Sequence, residues 1–250
     1  MIKISIVTAV YNREDVIADA VASVQAQSYE DIEHIVVDGA STDKTLSVLQ
    51  GCLDSRAILI SERDTGIYDA LNKGFLKATG DVVGVMHSDD FFADTDVLRD
   101  VAVAFEDPNV DAVYGDLDYV AKNDTARVIR HWRSAPFSAG QLAWGWMPPH
   151  PTLFVRRSAI EQAGAFDTRY RIAADYDFIL RHFSAAKWNA VYIPRVLVKM
   201  RLGGESNRSL SRIVRKSKED WLALHRNRVG AFGGVGAIVW KNLSKVKQFL

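Results

Sequence analysis

The chain has 250 residues, 48% of them hydrophobic, and a formal charge of zero from 31 Lys and Arg against 31 Asp and Glu. It carries enough apolar material for one large core, while its single cysteine, Cys52, excludes an intrachain disulfide and a thiolate-rich zinc site. The neutrality joins unlike parts, with 18 Lys and Arg against 28 Asp and Glu in residues 1–194 and 13 against 3 in residues 195–250, and so acidic a body argues against a broad nucleic-acid surface.

The apolar run Ile4–Val10 opens the chain and reads as a buried strand. It is too short for a signal peptide or a bilayer span, no later window reaches about 18 uncharged apolar residues, and a reducing, cytoplasmic location is the default. Val16, Ile17, Ala20, Val21 and Val24 repeat with helical spacing, and a second strand, Ile32–Val37, stops at Asp38-Gly39. A helix from Thr45, a strand Ala57–Ile60, a helix Tyr68–Thr79 and a strand Val82–Met86 follow. This alternation predicts an α/β fold with a mostly parallel central sheet and flanking helices, whose ligands bind beyond the carboxyl ends of the strands. Further on come a helix Asp94–Phe105, a short strand Ala112–Tyr114, a hairpin between Ala121 and His131, and an irregular aromatic loop Ser134–His150. Strand Thr152–Val155, helices Arg157–Gly164 and Asp175–Phe183, and strand Ala190–Ile193 lead to a basic helix Ser209–Arg226 and a Gly-interrupted end, Val229–Leu250.

Polar residues gather at the predicted strand ends. Asp89 and Asp90 follow the apolar Val82–Met86 and suit a hard cation that also takes phosphate oxygens; equally, they suit the cap and first turn of the next helix. Asp38 can accept a hydrogen bond from a ribose or base, or close an Asx turn with Gly39. Neither GxGxxG after the first strand nor GxxxxGK[ST] anywhere is present, which disfavours a dinucleotide oxidoreductase or a P-loop enzyme.

Together, Ser5–Asn12, Val36–Asp43, the run Glu62-Arg63-Asp64-Thr65-Gly66-Ile67-Tyr68-Asp69-Ala70-Leu71-Asn72-Lys73-Gly74, Gly80-Asp81 and His87-Ser88-Asp89-Asp90 resemble the family-2 inverting glycosyltransferases of the GT-A fold. The resemblance spans about residues 3–200, and within the family it is nearest to bacterial enzymes that extend surface polysaccharides such as O-antigen or capsule. It implies a transferase domain over 1–200, with a nucleotide-binding half 1–115 and an acceptor half 116–200, followed by a basic helical tail 201–250. By position it also implies that Thr8, Ala9 and Tyr11 line the nucleotide pocket, that Asp38, Asp64 and Ser88 contact the donor, and that Asp89, supported by Asp90, binds Mg2+ or Mn2+. His87 stands where the family commonly has another carboxylate.

Gly164-Ala165-Phe166-Asp167 and Ala173-Ala174-Asp175-Tyr176-Asp177 resemble the family's acceptor-side segments, which makes Asp175 the expected general base; Ala174 stands where an acid is usual. His150 is a candidate for the acceptor or phosphate, or a structural hydrogen bond. Trp144 and Trp146 can stack on sugar rings or anchor their loop. Arg201 and Arg208, around Gly203-Gly204-Glu205-Ser206, can pair with the diphosphate or form surface ion pairs. The expected reaction moves a sugar from a nucleotide sugar, UDP-linked as first choice, to a saccharide acceptor, lipid-linked at the inner face of the cytoplasmic membrane. The tail can then lie against that membrane or pack on its own domain, and a homodimer is compatible with the sequence. A nucleotidyltransferase and a non-catalytic nucleotide- or sugar-binding protein are the competing readings.

Overall fold

The computed structural model describes residues 1–185, 188–202, 210–230, 234 and 236–237, the side chains of 185 and 210–213 excepted. Strand β1 (Ile4–Val10) lies at the heart of the parallel part of the sheet, beside β2 (Ile32–Asp38) on one side and β4 (Val82–Val85) on the other, with β3 (Ala57–Ser61) outside β2. Because strand side chains alternate, Val7 and Ala9 of β1 enter one core with Ala70 and Leu71 of α3 (Ile67–Lys77). Ile4, Ile6 and Val10 enter the opposite core with Ile17, Ala20 and Val21 of α1 (Ile17–Gln25) and Leu49 of α2 (Thr45–Cys52). Covered on both faces, β1 and β2 are buried along their whole length, which is why they read as continuous apolar runs.

The sheet continues through antiparallel β8 (Phe154–Arg156) to β6 (Ala112–Ala121), then to β9 (Ala190–Arg201), parallel to β6, and ends on β5 (Phe91–Phe92). Strand β7 (Asp124–Trp132) adds a hairpin to β6. Around this half lie α4 (Val97–Ala104), α5 (Ala139–Leu142), α6 (Arg157–Ala163) and α7 (Ala174–Leu180), and α7 runs into a π-helical turn, Arg181–Ala185. Helix α8 (Leu210–Arg226) packs with Ala223 and Leu224 in the same core as Tyr176 and Leu180 of α7.

Two strands run well past their predicted ends. Gly115-Asp116 and Pro194-Arg195 read as stops, but here they face each other across a register shift, after which Asp116 pairs with Val196 and the ladder resumes to Val120–Arg201. Asp116 and Asp118 tolerate burial because each has partners: Asp116 accepts from the Tyr192 hydroxyl at 2.7 Å and the Ser134 N–H at 2.7 Å, and Asp118 meets the His131 ring at 2.6 Å. No helix among the described residues is long and apolar enough to cross a membrane. Most of the apolar end Val229–Leu250, with its expected membrane face, lies outside the described residues.

Candidate active site

The carboxyl ends of β1, β2 and β3 form one joined set of loops. Asn12, in the left-handed region at φ 51°, donates its N–H to the Ser41 hydroxyl at 2.9 Å and accepts the Thr42 N–H on its side-chain oxygen at 2.9 Å. The fully buried Asp38 carboxylate accepts the Ser41 N–H at 3.2 Å and the Ser61 hydroxyl at 2.7 Å. Asp64 accepts the Gly66 N–H at 2.8 Å and lies against Gly39, where a Cβ would collide with its carboxylate. Tyr11 borders the same point and is 54% exposed.

Thr8 and Ala9, expected on the pocket wall, have buried side chains: the Thr8 hydroxyl bonds the His34 ring at 3.0 Å, and Ala9 belongs to the apolar core.

The acidic turn separates its two carboxylates. Asp90 is 1% exposed; it accepts the main-chain N–H of Arg201 at 3.2 Å through one oxygen, and the other oxygen is buried without a hydrogen-bond partner. Burial, reinforced by the charge of Asp89, pushes its pKa well above the usual carboxylate range against the opposing pull of Arg201. Through this bond Asp90 joins the turn to β9. Asp89 is partly exposed and Ser88 buried. Arg201, expected at the diphosphate, is 8% exposed and reaches the Asp19 carboxylate at 2.5 Å and the Asp89 carbonyl at 3.3 Å. Its guanidinium ties α1 to the turn.

His87 links this turn to His150. Burial lowers its pKa, opposed by the nearby charges of Asp89 and Asp175, so the ring is held neutral between two carboxylates far apart in sequence. Its ring stands 5.5 Å from that of His150, edge to face, and His150 Nδ1 lies 3.3 Å from Asp175 Oδ2. The other oxygen of Asp175 accepts the Tyr176 N–H at 2.8 Å and faces the Tyr68 hydroxyl at 3.4 Å. Tyr68 donates to the Ile172 carbonyl at 2.7 Å, and burial followed by the Asp175 charge raises its pKa well above normal. Asp175, His150 and His87 thus lie in a row, and the charge of Asp89 acts on the last of them.

Trp146 packs on Tyr114, Phe137 and Phe183 with ring centroids 5.8, 5.3 and 6.1 Å away, which makes it a loop anchor. Trp144 is 48% exposed and open to a ligand. Arg208 and the Gly203-Gly204-Glu205-Ser206 turn lie outside the described residues. Among the described residues no three His, Cys, Asp or Glu side chains are grouped to hold a metal ion. Asp89 therefore suits Mg2+ or Mn2+ only where phosphate oxygens complete the shell, a common arrangement for Mg2+. Sequence reasoning passed over Tyr68 and Glu219; the first stands inside the Asp64–Gly74 motif, and the second shows no signal beyond being an acid in a basic helix.

Residues 5–164 match the family described as Glycosyl transferase family 2. The chain belongs to this family. It is 36% identical over 182 residues to an uncharacterized glycosyltransferase of Mycobacterium tuberculosis H37Rv, covering 71% of this chain and 68% of the relative. It is 32% identical over 209 residues to a PGL/p-HBAD biosynthesis glycosyltransferase of Mycobacterium bovis BCG, covering 81% and 78%. Among solved structures it resembles S. aureus TarS 1–349 in complex with UDP-GlcNAc at TM-score 0.68 and 19% identity, covering 90% of this chain and 65% of that one. The mannosyltransferase PcManGT of Pyrobaculum calidifontis, in complex with GDP-Man and Mn2+, matches at TM-score 0.68 and 20% identity, covering 96% and 69%. The chain spans 39% of the longer S. aureus TarS chain. These likenesses establish the GT-A type of fold.

Proposed function

We propose that this family-2 glycosyltransferase is an inverting enzyme that transfers a sugar from a nucleotide sugar to a saccharide hydroxyl, with Asp175 as general base. The observation that carries this reading is the meeting of Asp175 with His150 at 3.3 Å, across His87 from Asp89. The nucleoside rests against the loops of Tyr11, Asp38 and Asp64, with the diphosphate toward Asp89. Asp89 would hold Mg2+ or Mn2+ together with phosphate oxygens, and the chemistry a bound ion supplies is neutralisation of the leaving diphosphate. The acceptor oxygen bonds to the anomeric carbon from the face opposite the diphosphate, the bond from that carbon to the diphosphate oxygen breaks, and the acceptor proton passes to Asp175. His150 and Tyr68 fix the carboxylate for that transfer, and Trp144 is placed to contact the acceptor or sugar.

UDP-sugars remain the first choice of donor, with GDP-sugars next, the two classes found in complex with the structural neighbours. A lipid-linked acceptor at the inner face of the cytoplasmic membrane is supported by α8, which exposes Val214 and Trp221 beside Arg215 and Lys218, and by the mycobacterial relative named for PGL/p-HBAD biosynthesis. The test is a screen of UDP- and GDP-sugars for hydrolysis or transfer with Mg2+ or Mn2+ and with EDTA. Metal-dependent release of nucleoside diphosphate from one donor class is expected; binding without turnover of any donor would favour a non-catalytic binding protein.

A further inference from the structure

Helix α8 belongs to the most basic part of the chain, yet its two carboxylates, Glu219 and Asp220, are both buried. Asp220 is paired with Lys216 one turn earlier, at 3.1 Å. Glu219 does something different. One of its oxygens accepts three consecutive main-chain N–H groups, Arg171 at 3.1 Å, Ile172 at 2.8 Å and Ala173 at 3.0 Å. These are the last residues before α7, which carries Asp175 in its first turn. A carboxylate taking several main-chain donors fixes the path of a loop, and each charged hydrogen bond is stronger than a neutral one.

The same loop is held from its other side. The Ile172 carbonyl accepts the Tyr68 hydroxyl, which also faces Asp175, so residue Ile172 is clamped at its N–H by α8 and at its C=O by α3. Helix α8 also lies within electrostatic reach of the base. Burial opposes the charge on Lys216, and the carboxylates of Asp220 and then Asp175 outweigh it to raise the Lys216 pKa.

We propose that Glu219 is a positioning residue for Asp175, so that the helix following the transferase sheet sets the geometry of the general base. The proposal rests on the reading of Asp175 as that base. A misplacement of about 1 Å in a reacting group costs on the order of 100-fold in rate, whereas substrate binding depends on contacts elsewhere. Glu219 touches none of the loops assigned to the nucleotide, so its loss is expected to lower kcat and leave nucleotide affinity unchanged.

The experiment measures three quantities on the full chain: kcat for hydrolysis of whichever of UDP-glucose, UDP-GlcNAc or GDP-mannose is turned over fastest, Kd for the matching nucleoside diphosphate, and Tm. Glu219→Ala is expected to lower kcat by about 10- to 100-fold with Kd changed by less than about twofold. Glu219→Gln keeps a carbonyl acceptor without the charge and is expected to lower kcat by about three- to tenfold, less than the alanine variant; if the alanine variant does not fold, wild-type kcat in the glutamine variant would overturn the proposal. Leu224→Ala removes packing from the same helix without touching the clamp, and is expected to lower Tm while preserving kcat. Wild-type kcat in Glu219→Ala, or kcat falling in step with Tm in both helix variants, would overturn the proposal. Asp175→Asn separates the two claims: an inactive Asp175→Asn beside an active Glu219→Ala defeats the positioning role alone, while an active Asp175→Asn defeats the base and the positioning role with it.

Discussion

His150 Nδ1 stands 3.3 Å from Asp175 Oδ2, joining a proline-flanked loop to the first turn of α7. The contact leaves Asp175 with a defined orientation: one oxygen is engaged by the Tyr176 N–H and faces Tyr68, and the other faces His150. Replacing His150 with Gln keeps polarity but not the ring, and is expected to lower kcat about 10-fold while the Kd for UDP or GDP stays near wild type. Steady-state kinetics with calorimetric nucleotide titration checks this. A raised Kd with unchanged kcat would place His150 on the donor instead.

The two carboxylates of the acidic turn are expected to respond oppositely to amidation. Asp90 is buried, burial pushes its pKa up, and an Asn carbonyl can accept the Arg201 N–H in its place. Asp90→Asn is therefore expected to keep donor turnover within about threefold of wild type. Asp89→Asn removes the charge proposed to hold the metal at the diphosphate and is expected to lower turnover by ~100-fold. Rates measured across a Mn2+ titration decide the matter; equal losses in the two variants would show that Asp90 takes part directly.

Stability is expected to fall in two steps on acidification. Burial lowers the pKa of His34 and of His182 from 6.5 to about 4, so between these values the unfolded chain binds protons that the native state refuses. Stability is therefore lost as pH falls from 6.5 to 4, by on the order of 3 kcal/mol for each ring. Glu33 works in a lower window. Its burial is outweighed by hydrogen bonds from Ser5, from the N–H and hydroxyl of Thr79, and from Lys3, which hold its pKa at about 2 against an ordinary 4.5. That stabilisation is present above 4.5 and is lost as pH falls through 2. Thermal denaturation against pH checks both steps, and Glu33→Gln is expected to flatten the lower one and leave the upper one intact.

Much of the fold is legible in the sequence because its signals are local. The runs Ile4–Val10 and Ile32–Val37 announce strands buried on both faces, and the repeat of strand and helix announces the parallel half. What escaped depends on pairing between distant residues. Pro194-Arg195 looks like a strand end until Gly115-Asp116 is placed opposite it, and Phe91-Phe92 forms a strand only because β9 runs past it. The site shows the same division. Motif position singles out Asp89, Asp90, Asp175 and Arg201, but the burial of Asp90 and Arg201 against each other is a tertiary fact that no local pattern shows. Nor does the sequence reveal that His34, on the neighbouring strand, bonds the Thr8 hydroxyl.

Turnover by Asp175→Asn, compared with wild type on the best donor at saturating metal and equal nucleotide occupancy, tests the central claim most directly. Loss of the carboxylate is expected to lower kcat by about 100- to 10,000-fold, with the Kd for nucleoside diphosphate unchanged, because the proposed role of Asp175 is to receive the acceptor proton and not to hold the nucleotide. An Asp175→Asn enzyme that binds the donor and turns it over at the wild-type rate would contradict the account.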